Sequence, residues 1–546
     1  MNDLLHARFW LKSYPPGTPS EIDSLQLPTV KAMCESAFAR YANLPALTQG
    51  ERSLSFGELE SHSRSFGAWL QGAGAKKGDR IAIMLPNILE FPVALFGALR
   101  VGMVVVNLNP MYTPTEIEQL LDDSQPFVLV TLDALLPLMD ACQSNAGLRY
   151  IVAVGTGGSA TEPIGQSRER HIHWAIAAGP TEKEIKCEAL DPADLAFVQY
   201  TGGTTGSPKG VMLTHRNVCA NILQSVAWIR AFVQEPKTLI TLLPLYHIFA
   251  LEGSLLLFAH LGWHNILVAD PRNLPAVVKE FASHPIAFMS GVNTLFRGLL
   301  NTPGFGALDF SGLRITLSGG MAMEPQIAKQ WYALTGCHIT QAWGLTETSP
   351  GACINLPGAP FNPSVGLPIP STEIAITDEA GRHLPPGEAG EICVRGPQVM
   401  RGYWHRPDET ARAFWPQGWL RTGDIGRFDE QGFVHLIERL KDVIIVSGFK
   451  VYPQEVEAVA SGYPGVLEVA VAAHPDVESS ESVALFVVCA QGQAVEEAGL
   501  IRHCRRSLAA YKVPKHVYFR TALPRSAVGK ILRKVLREEV SRVELE

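Results

Sequence analysis

The sequence predicts an α/β protein, with a large N-terminal domain of α/β subdomains and a small β unit, followed by a small α+β C-terminal domain. Three observations carry this. Apolar strand-like runs alternate with capped helical runs between Ser55 and Thr131. A loop rich in glycine and threonine follows the apolar run at 195–198. Beyond about residue 360 the texture changes to short strands separated by Gly, Pro and Asp turns.

The elements follow in order. Ser55 and Glu58 have the spacing of a capping box, opening a helix that carries Phe56, Leu59, Phe66 and Leu70 and is closed by Gly72 and Gly74. A strand over 81–85, a helix over 91–99 and a strand over 103–106 come next. Thr113-Pro114-Thr115-Glu116 opens a second capped helix, and a strand over 127–131 closes the set. Strands separated by helices of this length require crossover connections, hence a parallel sheet. Strands at 374–377, 391–395 and 432–436 form the small β unit. Strands near 466–472 and 483–489, a helix near 496–509 and a strand near Val517 form the α+β tail. The expected division is 1–438 and 443–546, joined through 439–442. There is no internal repeat and no low-complexity segment.

Composition narrows the class further. A chain of 546 residues is too long for one compact core. With 47% hydrophobic and 18% charged residues, disordered, collagenous and coiled-coil classes are excluded. The net charge of -7 gives no general drive toward nucleic acid or anionic lipid. Nine cysteines, none spaced C-x-x-C, indicate neither a disulfide framework nor a thiolate zinc site, and fit a reducing cytoplasm. The opening MNDLLHARFW lacks the basic stretch and apolar run of a secretory signal. The uncharged stretch 253–269 falls short of a membrane span and contains His260, His264 and Asn265, so buried core is expected there.

The most informative segment is 200–215, Y-T-G-G-T-T-G-S-P-K-G-V-M-L-T-H. Gly202, Gly203 and Gly206 allow close approach of backbone to a ligand. The hydroxyls of Thr204, Thr205 and Ser207 can bond phosphate oxygens, and Lys209 supplies charge. This is a polyphosphate cradle. It differs from the kinase-type P-loop, because Pro208 precedes the lysine and Gly210 follows it. His247, in P-L-Y-H, is an aromatic-flanked imidazole at a change from strand to loop, readable as a core histidine or as a site residue.

With this loop, the chain resembles the adenylate-forming enzymes, a family of acyl-CoA synthetases, aryl-acid ligases, luciferases and peptide-synthetase adenylation domains. The resemblance runs through 200–215, 244–247, 344–347, 418–426, 438–452 and 524–530. Within the family, 76–87, 91–107 and 244–251 are similar to bacterial long-chain fatty acid CoA ligases. It implies two steps. A carboxylate attacks the α-phosphate of ATP to give acyl-adenylate and pyrophosphate, and the CoA thiol then displaces AMP. The expected small molecules are ATP, Mg²⁺, CoA and a fatty acid.

By the same resemblance, Thr201 and the cradle residues hold phosphates. Trp343 and Gly344 border adenine, with Trp343 standing where the family usually has Tyr. Thr346 contacts the α-phosphate region, and Glu347 holds Mg²⁺ with help from Thr201. Gly319 and Gly320 form close-packed backbone along the adenylate, and Gln341 and Ala342 form its other wall. Asp424 accepts from the ribose hydroxyls. Arg439 and Lys441 lie at the hinge on which the mobile C-terminal domain swings, with Arg439 also reaching the nucleotide. Lys530 is the adenylation lysine, and Gly448 leaves room for the pantetheine arm. His247 stands between carboxylate site and thiol tunnel.

Residues 248–268 have the composition of an acyl tunnel, although any buried helix would share it. The long-chain substrate therefore rests on the resemblance. A medium-chain or aromatic acid CoA ligase, or a fatty acyl-AMP ligase, would carry the same motifs. A non-enzymatic lipid-binding protein is disfavoured by Glu347, Asp424, Arg439 and Lys530 together. A peptide-synthetase module is disfavoured because the chain is expected to end soon after Lys530. No nucleic-acid partner is expected; peripheral association with the inner face of the membrane and a homodimer stay open.

Overall fold

The computed structural model describes residues 8–141, 148–155, 171–179, 185–186, 188–201, 208–447, 449–476, 479–525 and 531–543. Four sheets organise them. The first has eight strands in the order Gly402–Tyr403, Lys209–Thr214, Leu195–Thr201, Val104–Asn107, Arg80–Met84, Val128–Leu132, Tyr150–Val154 and His171–His173. Its last six strands run parallel, as the strand-helix alternation requires, and Lys209–Thr214 turns back antiparallel on Leu195–Thr201. The helices Phe56–Gly72 and Pro114–Ser124 start on the capping boxes Ser55/Glu58 and Thr113/Glu116. In each, the hydroxyl and the glutamate satisfy backbone N–H groups that the first turn leaves open.

The second sheet has nine strands, from Leu367–Pro368 at one edge through Gly351–Ile354, Ile339–Gly344, Ile315–Ser318, Ile286–Gly291, Thr238–Thr241 and His264–Leu267 to the hairpin Pro45–Gln49/Arg52–Ser55. One apolar core spans both large sheets. The helix Glu90–Arg100 is buried along its whole length, and Phe91, Leu95, Phe96 and Leu99 belong to that core. Burying a side chain of this size is worth about 1.5–3 kcal/mol.

The third sheet is the small β unit: Glu373–Thr377, Gly390–Arg395, Trp419–Phe428 and Phe414–Trp415, with Val434–Arg439 also paired to Trp419–Phe428. The fourth forms the tail around Ser480–Cys489, which pairs antiparallel with Val466–Asp476 and parallel with His516–Arg520. It carries the helices Pro453–Ser461, Glu497–Ser507 and Arg533–Val543.

Residues 248–268 are largely buried, with Phe249, His260, Leu261 and His264 half-buried, and the buried core expected over 253–269 ends at Val268. A short helix Ile248–Ala250 widens into a π-helical turn Leu251–Leu256, continues as Leu257–His260 and leads into the strand His264–Leu267. Among the described residues, no helix is long and apolar enough to cross a membrane. The wide turn holds an acid in its apolar wall: Glu252 is 3% exposed and its Oε1 has no hydrogen-bond partner.

Burial pushes the Glu252 carboxyl up to about 8. An unfolded carboxyl ionises near 4.5. Between those values the unfolded chain has released a proton that the folded chain keeps, so this group makes stability fall as pH rises. Glu252→Gln is expected to gain on the native chain by roughly 2–4 kcal/mol between pH 5 and pH 8. Calorimetry at both pH values checks this, and a difference in Tm between the two proteins that stays constant with pH would remove the assignment.

Candidate active site

The residues singled out from sequence lie on three of the sheets. Thr201 ends the strand Leu195–Thr201 and sits opposite Lys209 in the antiparallel hairpin. Gly202, Gly203, Thr204, Thr205, Gly206 and Ser207, which join these strands, lie outside the described residues, as do Gly448 and Lys530. The edge strand Gly402–Tyr403 pairs with the hairpin through Met212 and Val211, and the Trp404 N–H donates to the Gly210 carbonyl at 2.7 Å. This register brings the Tyr403 ring to 5.1 Å from the Lys209 ammonium.

Tyr403 also reaches the next segment. Its phenol donates to Glu347 Oε1 at 2.8 Å, and the Met400 N–H donates to the Glu347 carbonyl at 2.8 Å. Burial and the Glu347 carboxylate both push the phenol up, so it stays a neutral donor. Glu347 lies in the single turn Thr346–Thr348, beside Thr346. That turn is possible because residue 344 is glycine, since a Cβ there would sit 1.8 Å from the Pro350 carbonyl oxygen.

Trp343 precedes Gly344 at the end of the strand Ile339–Gly344. Its indole N–H donates to Asp424 Oδ2 at 2.9 Å, and Arg439 Nε lies 2.6 Å from Asp424 Oδ1. Asp424 and Arg439 face one another in the antiparallel pair Trp419–Phe428/Val434–Arg439. The Asp424 side chain is 3% exposed and is met by an indole on one oxygen and a guanidinium on the other. Lys441 follows in the turn Leu440–Asp442, where burial and then Arg439 push its ammonium down.

A third group closes the opposite side. Gly319 follows the strand Ile315–Ser318, and a Cβ on it would lie 3.1 Å from the Phe249 ring and 3.4 Å from the Ala342 carbonyl. Gly320 has φ +82°, the left-handed region that favours glycine. Gln341 pins this loop, accepting from the Met323 N–H at 2.6 Å and donating to the Ser364 carbonyl at 2.7 Å. His247 caps the short helix Ile248–Ala250, its Nδ1 accepting from the Phe249 N–H at 3.3 Å.

These segments form one continuous arrangement. Lys209, Tyr403 and Glu347 connect through the turn at 344–348 to Trp343, Asp424 and Arg439, and Ala342 borders Gly319 and Phe249. Its charged groups are Lys209, paired with Glu409, Arg439, paired with Asp424, and the further carboxylate Glu347. Among the described residues, no group of three or more His, Cys, Asp or Glu could hold a metal alone. Glu347 accepts from the Tyr403 phenol, and a carboxylate so placed fits magnesium shared between one carboxylate and ligand phosphates.

Three neighbours escaped the sequence reading. Tyr403 is one, Phe249 against Gly319 is another, and Glu409 of the helix Pro407–Arg412, which pairs with Lys209, is the third. G-Y-W-x-R-P at 402–407 and the F-A after Ile248 were visible as residues, but nothing in their local spacing says which distant segment they meet.

Two families of known sequence match: the AMP-binding enzyme family over residues 34–404, and the AMP-binding enzyme C-terminal domain over 455–530. A long-chain-fatty-acid–CoA ligase of Escherichia coli O6:H1 is 44% identical over 553 aligned residues, covering 97% of this chain and 98% of that protein. Among solved structures, the anthranilate CoA ligase AuaEII in complex with anthranoyl-AMP aligns with a TM-score of 0.85 at 26% identity, covering 96% of this chain and all of that one. ATP-bound MatB from Rhodopseudomonas palustris aligns with a TM-score of 0.84 at 29% identity, covering 94% and 99%.

Proposed function

The chain belongs to the AMP-binding enzyme family, and on that premise we propose that it is a long-chain fatty acid CoA ligase working through an acyl-adenylate. In the first half-reaction a carboxylate oxygen of the fatty acid bonds to the α-phosphorus of ATP. The bond to the bridging oxygen of the β-phosphate breaks, and pyrophosphate leaves with that electron pair. In the second, the CoA thiolate bonds to the acyl carbon, the C–O bond to the phosphate breaks, and AMP leaves.

The observation that carries this reading is the continuity of the site, because Trp343 and Glu347 tie Asp424 and Arg439 to Tyr403 and Lys209. Thr201 and Lys209 hold the phosphates, with Gly202, Gly203, Thr204, Thr205, Gly206 and Ser207 completing the cradle. Asp424 takes the ribose hydroxyls: each of its oxygens already accepts one protein donor and keeps a lone pair for another. Glu347 and Thr201 hold Mg²⁺, which when bound neutralises charge on the phosphates. Gly319, Gly320, Gln341 and Ala342 border the adenylate, and Thr346 meets its α-phosphate. His247 stands between the carboxylate site and the thiol tunnel.

Residues 439–442 are the proposed hinge between 1–438 and 443–546, with Lys441 as pivot. Lys530 serves the first half-reaction, and Gly448 serves the second by leaving room for pantetheine. A long-chain acid partitions into bilayers, which supports peripheral association with the inner face of the membrane.

Each methylene buried by the acyl wall is worth about 0.8 kcal/mol, roughly fourfold in binding. With ATP and Mg²⁺, release of AMP and pyrophosphate is expected to need CoA and to peak at palmitate and oleate over octanoate and a cinnamate. A peak at octanoate or cinnamate keeps the mechanism and overturns the substrate. Turnover that stops at the adenylate overturns the ligase reading.

A further inference from the structure

The segment after the edge strand carries an acid to the cradle lysine. Trp404 is bonded to Gly210 through its backbone and to the Asp123 carbonyl through its indole N–H, at 3.1 Å. The helix Pro407–Arg412 that follows presents Glu409, whose Oε2 pairs with the Lys209 ammonium. Arg406 Nε stands 3.7 Å from Glu409 Oε1, and Arg406 Nη2 stands 3.7 Å from Asp123 Oδ1. Lys209, the strongest influence, holds the Glu409 carboxyl below the usual range, so the acid is a carboxylate at neutral pH.

We infer that Glu409 is the resting counter-ion of Lys209 and sets the affinity of the site for polyphosphates, because a triphosphate must displace this carboxylate to engage the lysine. The inference rests on the cradle reading given above. Displacement is physically mild. The pair is a third exposed, where ion pairs are weak, and a triphosphate offers more charge than one carboxylate. Glu409 is not stranded on release, since Arg406 remains beside it. Glu409 is thus a positioning residue acting through Lys209, and it acts on the polyphosphate end alone, because AMP lacks the phosphates that would compete.

Nucleotide titrations of the full chain with Mg²⁺ and without acid or CoA test this, using ATP, pyrophosphate and AMP as ligands. Glu409→Gln is expected to bind ATP and pyrophosphate about two- to fivefold more tightly, with AMP unchanged. Glu409→Asp should return toward native affinity, and the gain should shrink at high salt. In a Lys209→Ala background the gain should vanish, which a merely structural role of Glu409 would not produce. Unchanged or weaker ATP binding by Glu409→Gln, or a parallel change for AMP, overturns the inference. Lys209→Ala with native ATP affinity overturns the cradle reading and the inference with it.

Discussion

Lys530→Ala is expected to slow acyl-adenylate formation by about a hundred- to a thousandfold, while the transfer of acyl from supplied acyl-adenylate to CoA changes no more than a few-fold. The asymmetry follows from charge. In the first half-reaction an anionic carboxylate approaches an anionic phosphate, and negative charge grows on the phosphate oxygens and the leaving pyrophosphate. An ammonium placed between the two anions stabilises that arrangement more than the separated reactants, which is where catalysis is gained. The second half-reaction brings one thiolate to an acyl carbon already joined to AMP and makes a smaller electrostatic demand. Lys530 lies outside the described residues, flanked by Arg525 and Ile531, whose backbones bridge antiparallel. Arg525 is anchored to Glu468 at 3.0 Å, and Glu468 lies within 3.5 Å of Arg297 on the helix Asn293–Leu300 of the large domain. Pyrophosphate exchange measures the first half-reaction and thioester formation from synthetic acyl-adenylate the second. Equal losses in both would end the assignment.

What sequence could read here was local or carried by the family motifs. The capping boxes at Ser55/Glu58 and Thr113/Glu116 formed as spaced, because their hydrogen bonds close within three residues. The parallel order of the first sheet followed from strand-helix alternation. The second large sheet did not, since the hairpin Pro45–Gln49/Arg52–Ser55 joins it beside His264–Leu267, a pairing that no local pattern encodes. The site divides the same way. Asp424, Glu347 and Lys209 stood out inside motifs, but their partners Trp343, Tyr403 and Glu409 come from far along the chain. Trp343 is instructive: the resemblance set it beside adenine where the family usually has Tyr, and the fold ties its indole N–H to Asp424. The uncharged stretch 253–269 was legible as buried core, yet nothing in its composition or that of the residues before it signalled the wide turn that encloses Glu252.

Arg533→Leu is expected to cost about 3–5 kcal/mol of stability, with the deficit growing as pH rises. Arg533 side-chain exposure is 16%, and its Nη2 meets both oxygens of Glu457 at 2.8 and 2.9 Å, while Nη1 lies 3.9 Å from Glu438 and from Asp442. Its Nε donates to the Val471 carbonyl. Removing this cation leaves three carboxylates close together with little solvent. Glu438 is the most exposed to the loss in energy, because burial already pushes it up to about 7 with Arg533 opposing the rise. Without Arg533 its folded pKa climbs further above the unfolded value near 4.5. The variant then folds best at low pH, where these acids take protons, and loses stability as pH rises through neutrality, which sets the sign of the deficit. The same group of charges bears on the hinge. Asp442 is held on the C-terminal side by Arg533 and by Arg537 at 2.9 Å, and Arg537 also donates to the Lys441 carbonyl. Arg439 is held on the other side by Asp424. Glu438, just before these residues, is itself tied to the C-terminal side by Arg533 and by the Gln454 N–H, so the cluster spans the proposed hinge. Calorimetry of the full chain at about pH 5.5 and pH 8 reads the deficit directly. Arg533→Leu combined with Glu457→Leu should recover part of it, since a pair removed whole costs less than a charge left alone. A single variant that unfolds like the native chain at both pH values would mean that Arg533 does not carry the charge balance of this junction.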